Sequence, residues 1–271
     1  MTIHRVPVRE PTRIRAVAFR TVRYVRHTMG MPITLALRGR HTDDDKAQAA
    51  WAQVMRQLHE VDEMFSTYRP DPFVSRLNSG DITLVDCPPE VAEVLALGET
   101  ARQESGGAFD TTLPGPDGQP ILDPSGVVKG WAVEKAAATL KALPDTDFCF
   151  AAGGDMTCHT VDVANPPWRI GIEDPTGPSR VLAVVPLSTG GIATSGTTHR
   201  GQHLLDPRTG RAPAGIASVT VVAPSLIWAD IDATAAYAKA RSAPSWLRTR
   251  PGRSGLIVWA DGSTTTVRPH Q

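Results

Sequence analysis

The chain has 271 residues, 41% of them hydrophobic and 21% charged, and its 28 basic and 28 acidic side chains leave no formal net charge at pH 7. A neutral balance provides no global field to attract nucleic acid or a membrane surface, and no run approaches the ~18 consecutive apolar residues of a membrane-spanning helix. Three cysteines (Cys87, Cys149 and Cys158) with no CxxC pair argue against a disulfide framework and a zinc site.

Residues 1–27 carry seven arginines against one acid, Glu10. The stretch lacks a continuous apolar core and a small-residue cleavage site, so it does not read as a secretory signal. It reads as a disordered arm plus the first strand; the alternative is weak docking onto an acidic partner or anionic lipid, a peripheral membrane association. Residues 28–271 read as one domain. ITLALRG (33–39) is a predicted strand. TDDDKAQAAWAQVMRQLHEVDEMF is an amphipathic helix, with Trp51, Val54, Met55, Leu58, Val61 and Phe65 at helical spacing and Thr42 or Asp43 as its cap. PPEVAEVLALGETARQESGG gives a second helix, ended by Gly106 or Gly107, and GWAVEKAAATLKAL (130–143) a third. FCFAAGG reads as a buried strand running into a glycine turn, with Cys149 a small buried hydrophobe, which favours a reducing compartment. WRIGIED, SRVLAVVPL, GIATSG, QHLLD and SVTVVA read as further strands. ADIDATAAYAKA (229–240) is a helix, and GLIVWA with TTTVRP closes a hairpin across Asp261-Gly262. Helices cluster in the first half and strands in the second, which gives an α+β class with mixed or antiparallel sheets.

Five patches carry candidate chemistry. SGGAFDTTLPG (105–115) offers two glycines, Asp110 and two threonines; alone, such a stretch is more often a turn than a site. LDPSGVVKGWAVEKA (122–136) delivers Lys129 and Gly130 at a helix start, where N–H groups and positive potential suit a phosphate. Its glycines do not match Walker A spacing, and a surface lysine at a helix cap is the plainer reading. AAGGDM (151–156) places a glycine pair after a buried strand, where the backbone meets a flat ligand or simply turns. IATSGTTHRGQHLLDPRTG (192–210) is dense in hydroxyls and imidazoles, with Thr194, Ser195, His199 and His203. In the alanine-rich helix, Asp230 and Thr234 are spaced i, i+4 and share a face. A hard cation takes such oxygen ligands; otherwise Asp230 or Asp232 caps the helix and Thr234 packs. Together the patches describe a site for a large phosphorylated ligand with Mg²⁺.

In this order the patches resemble the ApbE-type flavin transferases (FAD:protein FMN transferases), from TMGMPITLAL to the alanine-rich helix. FSTYRPDPFVSRLNSG is similar to that family's Ser-Thr-Tyr segment ending in Arg-Leu-Asn, GGAFDTT to its Gly-x-Phe-Asp-Pro-Thr, and VVKGWAVEKAA to its Lys-Gly-Tyr-Ala-Val-Asp. GGDM, WRIGIEDP, IATSG, HLLDPRTG and ADIDAT also have counterparts. The resemblance implies two intimately packed α/β halves (ApbE-like, T-fold-like) with FAD and metal in the cleft between them. It implies Mg²⁺-dependent transfer of FMN from FAD to a Ser/Thr hydroxyl of a partner flavoprotein, with release of AMP. It implies Asp230, Thr234 and the Gly126 carbonyl as magnesium ligands, and Met29, Tyr68, Ala108, Phe109, Asp110, Asp123, Lys129 and Leu204 as the FAD site. It implies His203 as the catalytic histidine. Pro72, Trp131, Thr111-Thr112 and the Thr197-Thr198 pair depart from the family pattern. Without an export signal, the acceptor is expected in the cytoplasm or facing it. The same site would also serve an FAD pyrophosphatase giving FMN and AMP, or a non-catalytic FAD-binding protein.

Overall fold

The computed structural model describes residues 20–66, 72–115, 118–177, 180–196 and 204–269. Tyr68, His199, His203, Thr197-Thr198 and most of the basic arm therefore lie outside the described residues.

The described chain is built on an antiparallel sheet of eight strands. β1 (Thr21–Thr28), β2 (Met31–Gly39), β5 (Thr146–Ala152), β6 (Asp155–His159), β9 (Gly190–Gly196), β10 (Ile216–Ala223), β11 (Ser254–Trp259) and β12 (Thr264–Val267) follow one another across it. Two short hairpins lie outside it, β3 (Thr112–Pro114) with β4 (Pro120–Leu122), and β7 (Trp168–Glu173) with β8 (Val181–Leu187). Every described strand pair is antiparallel. The two halves are thus α/β layers sharing one sheet. In the first, α1 (Asp45–Phe65), α3 (Pro89–Ser105) and α4 (Ser125–Lys141) bury Val54, Leu58, Val94 and Leu140 against Leu35, Phe148 and Phe150. In the second, α5 (Leu226–Lys239) and α6 (Ala243–Arg248) pack on β10–β12 through Tyr237, Leu247, Val219 and Ile257. A short helix, α2 (Phe73–Ser79), follows Pro72.

Helix boundaries depart from the sequence expectations, and the site depends on them. The cap of α1 is Asp44, whose carboxylate accepts the Ala47 N–H at 3.0 Å, and not Thr42 or Asp43. The Thr42 carbonyl accepts from the Tyr24 hydroxyl at 2.8 Å and Asp43 pairs with Arg20 at 2.7 Å. The third helix begins at Ser125 and not at Gly130, because Val127 and Val128 are buried and tertiary packing overrides their weak propensity. Lys129 is therefore one turn inside α4. Likewise α5 begins at Leu226, so neither Asp230 nor Asp232 caps it. Its start is held by α4: Glu134 accepts the Ser225 hydroxyl at 2.7 Å and the Ile227 N–H at 3.1 Å. QHLLD adds no strand in its described part; Asp206 makes a single bridge to Arg211.

The alanine content of α5 has a packing reason. Ala229, Ala233, Ala235 and Ala236 are fully buried, and a helix apolar on most sides belongs inside the protein. It lies against its neighbours at backbone distance. A Cβ on Gly191 of β9 would sit 2.4 Å from Leu226 Cα, and one on Gly130 of α4 would sit 3.1 Å from Ile227 Cα. These two glycines and the alanines seat α5 between sheet and α4, and so fix where Asp230 and Thr234 point.

Candidate functional site

A cavity of about 1130 Å³ opens where α4, α5, β9 and the β5–β6 turn converge, with β7 as a further wall. It exceeds the roughly 300–1,000 Å³ usual for drug-sized ligands, which suits a dinucleotide. Asp230 and Thr234 both line it, on one face of α5. Asp123, Gly126 and Lys129 reach it from the start of α4, and Met29 and Leu204 complete the predicted residues found there.

Its centre is charged. The Lys129 ammonium lies between the carboxylates of Asp155, at the start of β6, and Asp230, 3.3 Å away. Asp155 and Asp230 are each 4% exposed. Burial alone would lower the pKa of Lys129. The two carboxylates more than reverse this and hold it above the usual lysine range, so the lysine is a cation at neutral pH. The other oxygen of Asp155 accepts the Thr194 N–H at 2.9 Å, tying β6 to β9. Ser195 and Thr234 hydroxyls meet at 3.0 Å, and Thr194 meets Thr220 at 2.8 Å. One ammonium and two carboxylates leave this cluster with a net negative charge beside a band of hydroxyls, an arrangement that suits a cation and, through it, a phosphate.

The donor set fits a hard cation. Asp230 and Thr234 present a carboxylate and a hydroxyl to one cavity, both oxygen donors of the kind magnesium takes. Among the described residues no three His, Cys, Asp or Glu side chains cluster to hold a metal. An ion here would complete its shell with hydroxyl, backbone, water or substrate phosphate oxygens, as magnesium commonly does.

Three predicted FAD residues lie elsewhere. Ala108 and Phe109 are buried, with the Phe109 N–H on Ser105 Oγ at 2.9 Å. A methyl on Gly126 would stand 3.1 Å from the Phe109 ring, so Phe109 backs the first turn of α4 from behind. Asp110 accepts the Thr112 N–H at 2.8 Å and borders a smaller cavity of about 380 Å³ with Arg102 and Glu99. The departure at Trp131 falls in the core, where its indole N–H donates to Glu93 at 2.9 Å and its ring meets Phe65 edge-on. Asp155 and Ser195 carry no role in the sequence reading, although both stand in matched motifs, GGDM and IATSG. The signal for Asp155 is an acid immediately after a glycine turn that ends a buried strand.

Comparison with known proteins identifies the family and the fold. The ApbE family model matches residues 29–116 and 113–257. The chain is similar to the FAD:protein FMN transferase of Klebsiella pneumoniae (strain 342), 25% identical over 246 residues that cover 69% of this chain and 70% of that protein. It is 27% identical over 235 residues to the FAD:protein FMN transferase of Haemophilus influenzae (strain ATCC 51907 / DSM 11121 / KW20 / Rd), covering 64% of this chain and 67% of that protein. Its fold matches the apo crystal structure of the Pseudomonas stutzeri flavinyl transferase ApbE with a TM-score of 0.78 at 24% identity, over 92% of this chain and 95% of that one. It matches the ApbE protein of Thermotoga maritima with a TM-score of 0.79 at 20% identity, over 92% and 97%. With the family model spanning most of its length and the same fold in solved relatives, the chain belongs to the ApbE family.

Proposed function

We propose that this protein transfers FMN from FAD to a Ser/Thr hydroxyl of a partner protein, releases AMP, and needs Mg²⁺ to do so. The transfer of FMN from FAD to a protein is the activity named for its relatives. The observation that carries the reading to these residues is the cluster of Lys129, Asp155 and Asp230 beside Thr234 on one cavity wall.

FAD's diphosphate repels an incoming hydroxyl. Lys129 offers a hydrogen-bond donor to a phosphate oxygen, and because its two carboxylates outweigh its charge, neutralising the diphosphate and stabilising the AMP phosphate would need the cation that Asp230 would hold. The acceptor oxygen attacks the FMN-side phosphorus, the bond to the bridging oxygen breaks, and AMP carries that oxygen away. His203, assigned by resemblance and outside the described residues, accepts the hydroxyl proton, help typically worth ~10²–10⁴-fold. Asp230 and Thr234, with the Gly126 carbonyl, would hold Mg²⁺, which supplies Lewis-acid stabilisation of phosphate charge when bound. Holding the acceptor segment at the phosphorus is much of the remaining work. No described helix is long and apolar enough to cross a membrane. An acceptor in or facing the cytoplasm is part of the proposal, supported by three free thiols.

The test is to incubate the chain with FAD, Mg²⁺ and candidate acceptor flavoproteins and to weigh the acceptors. One FMN on a Ser or Thr, an equal amount of AMP, and loss of both in His203→Ala are the expected results. AMP released at full rate without acceptor would make the enzyme an FAD pyrophosphatase. Tight FAD binding with no turnover would make it a binding protein.

A further inference from the structure

The β5–β6 hairpin carries a second reactive feature, on its other side from the main core. Phe148 and Phe150 enter that core, whereas Cys149, Met156 and Cys158 pack under the β7–β8 hairpin with Ile170, Ile172 and Leu187. Cys149 and Cys158 are register partners, so their side chains leave the same face of the sheet side by side.

Their rung can be identified by counting. The strands turn through Gly153-Gly154, both at positive φ (60° and 116°), and the closing pair is Ala152 with Asp155. Two residues at positive φ make the tight two-residue turn of a hairpin. In such a hairpin the closing pair exchanges hydrogen bonds, and the rungs then alternate. Ala151–Met156 is a non-hydrogen-bonded rung, Phe150–Thr157 a hydrogen-bonded one, and Cys149–Cys158 again non-hydrogen-bonded. On that type of rung opposed Cα atoms are about 4.5 Å apart and the side chains are closest, inside the roughly 4.4–6.8 Å that a disulfide spans.

The thiols also differ in reactivity. Cys158 is buried, and the Cys149 thiol is directed at Met156 Sδ, 4.0 Å away. The neighbouring Cys158 thiol lowers the pKa of Cys149, with Arg23 and Arg38 adding to the effect, while Cys149 and burial raise that of Cys158. Cys149 is partly buried and Cys158 is buried, so Cys149 is the thiol nearer to solvent.

We propose that Cys149 and Cys158 are a redox pair that closes into a reversible cross-strand disulfide when the protein meets a hydroperoxide. The Cys149 thiolate attacks a peroxide oxygen. The O–O bond breaks, the alkoxide takes the proton Cys149 gave up and leaves as alcohol, and Cys149 becomes a sulfenic acid. The Cys158 sulfur then attacks the Cys149 sulfur. The S–O bond breaks and hydroxide leaves as water with the Cys158 proton. Two thiols have lost two electrons and two protons, and the hydroperoxide has become alcohol and water. A dithiol reductant reverses the bond by exchange. The bridge would lock the hairpin three rungs from Asp155, the residue that holds Lys129.

The full chain, treated with hydrogen peroxide, alkylated with iodoacetamide and mapped by mass spectrometry without reduction, tests this. The expected result is a peptide linking Cys149 to Cys158 and lighter by two hydrogens. Alkylation remains at Cys87, and dithiothreitol restores all three alkylatable thiols. Cys149→Ser and, separately, Cys158→Ala each abolish the linked peptide, and circular dichroism confirms that both are folded. Three alkylatable thiols after peroxide, a sulfinic acid on Cys149 without a link, or a link to Cys87 would each overturn the proposal.

Discussion

Asp230 and Asp232 lie two residues apart on α5, at 4% and 1% exposure, yet they meet different worlds. Two residues turn a helix by about 200°, so the pair faces opposite sides. On the back, Asp232 accepts from Arg250 Nε at 3.2 Å and Arg253 Nε at 2.9 Å, and Arg250 also reaches Glu104 at 2.6 Å. Burial raises the pKa of Asp232, while the two guanidiniums pull the other way. On the front, Asp230 meets Lys129 at 3.3 Å and the cavity. The back carboxylate is matched on all sides by fixed protein charge and holds the fold. The front one shares its charge with a lysine at the edge of a space able to admit phosphate and metal. Depth of burial does not separate the two carboxylates; what lies opposite each one does.

The largest effect is expected at Asp230→Ala. The account expects FMN transfer to fall by at least about 10²–10³-fold with an unchanged circular dichroism spectrum; transfer near the wild-type rate would remove the front face from the chemistry. Asp232→Ala should do the reverse. Two arginines lose their buried partner, at a cost of about 3 kcal/mol read in urea unfolding, while the folded enzyme keeps its turnover. A variant as inactive as Asp230→Ala, yet as stable as wild type, would merge the two faces.

The Lys129 clasp sets the front face apart through pH. Its folded pKa is raised, so its contribution to stability is fully present below the unfolded value, about 10.4, and is lost as pH rises through the folded value. The stability gap between wild type and Lys129→Met should therefore be constant between about pH 7 and 9 and shrink only in stronger alkali. A gap that closes near neutrality would mean the lysine is not held charged. The smallest effect is expected at Gly126→Ala. The new methyl stands 3.1 Å from the Phe109 ring and forces a small shift, while alanine favours the helix by about 1 kcal/mol. The two nearly cancel in stability, so a change in FAD affinity would report the cavity wall itself.

The long periodic segments are legible in the sequence. Trp51, Val54, Leu58 and Val61 mark α1, and the Asp261-Gly262 turn joins β11 to β12. The starts of α4 and α5 are not, because Ser125-Gly126-Val127-Val128 reads as loop until Val127 and Val128 are seen buried, and because α5 is capped by Glu134 from another helix. The short elements α2, α6 and β3–β4 carry too few residues for a period to emerge. Within the candidate site, the Asp230–Thr234 spacing is readable as a shared face. The role of Asp155 is not, since its partners Lys129 and Thr194 come from α4 and β9 and meet it only across the folded sheet.

Whether the front of α5 holds a divalent ion is measured by titrating Mn²⁺ into the protein with FAD present and following free metal by electron paramagnetic resonance. The account predicts one bound ion for wild type and for Asp232→Ala, and none over the same range for Asp230→Ala or Thr234→Val. Equal binding by wild type and Asp230→Ala would contradict it.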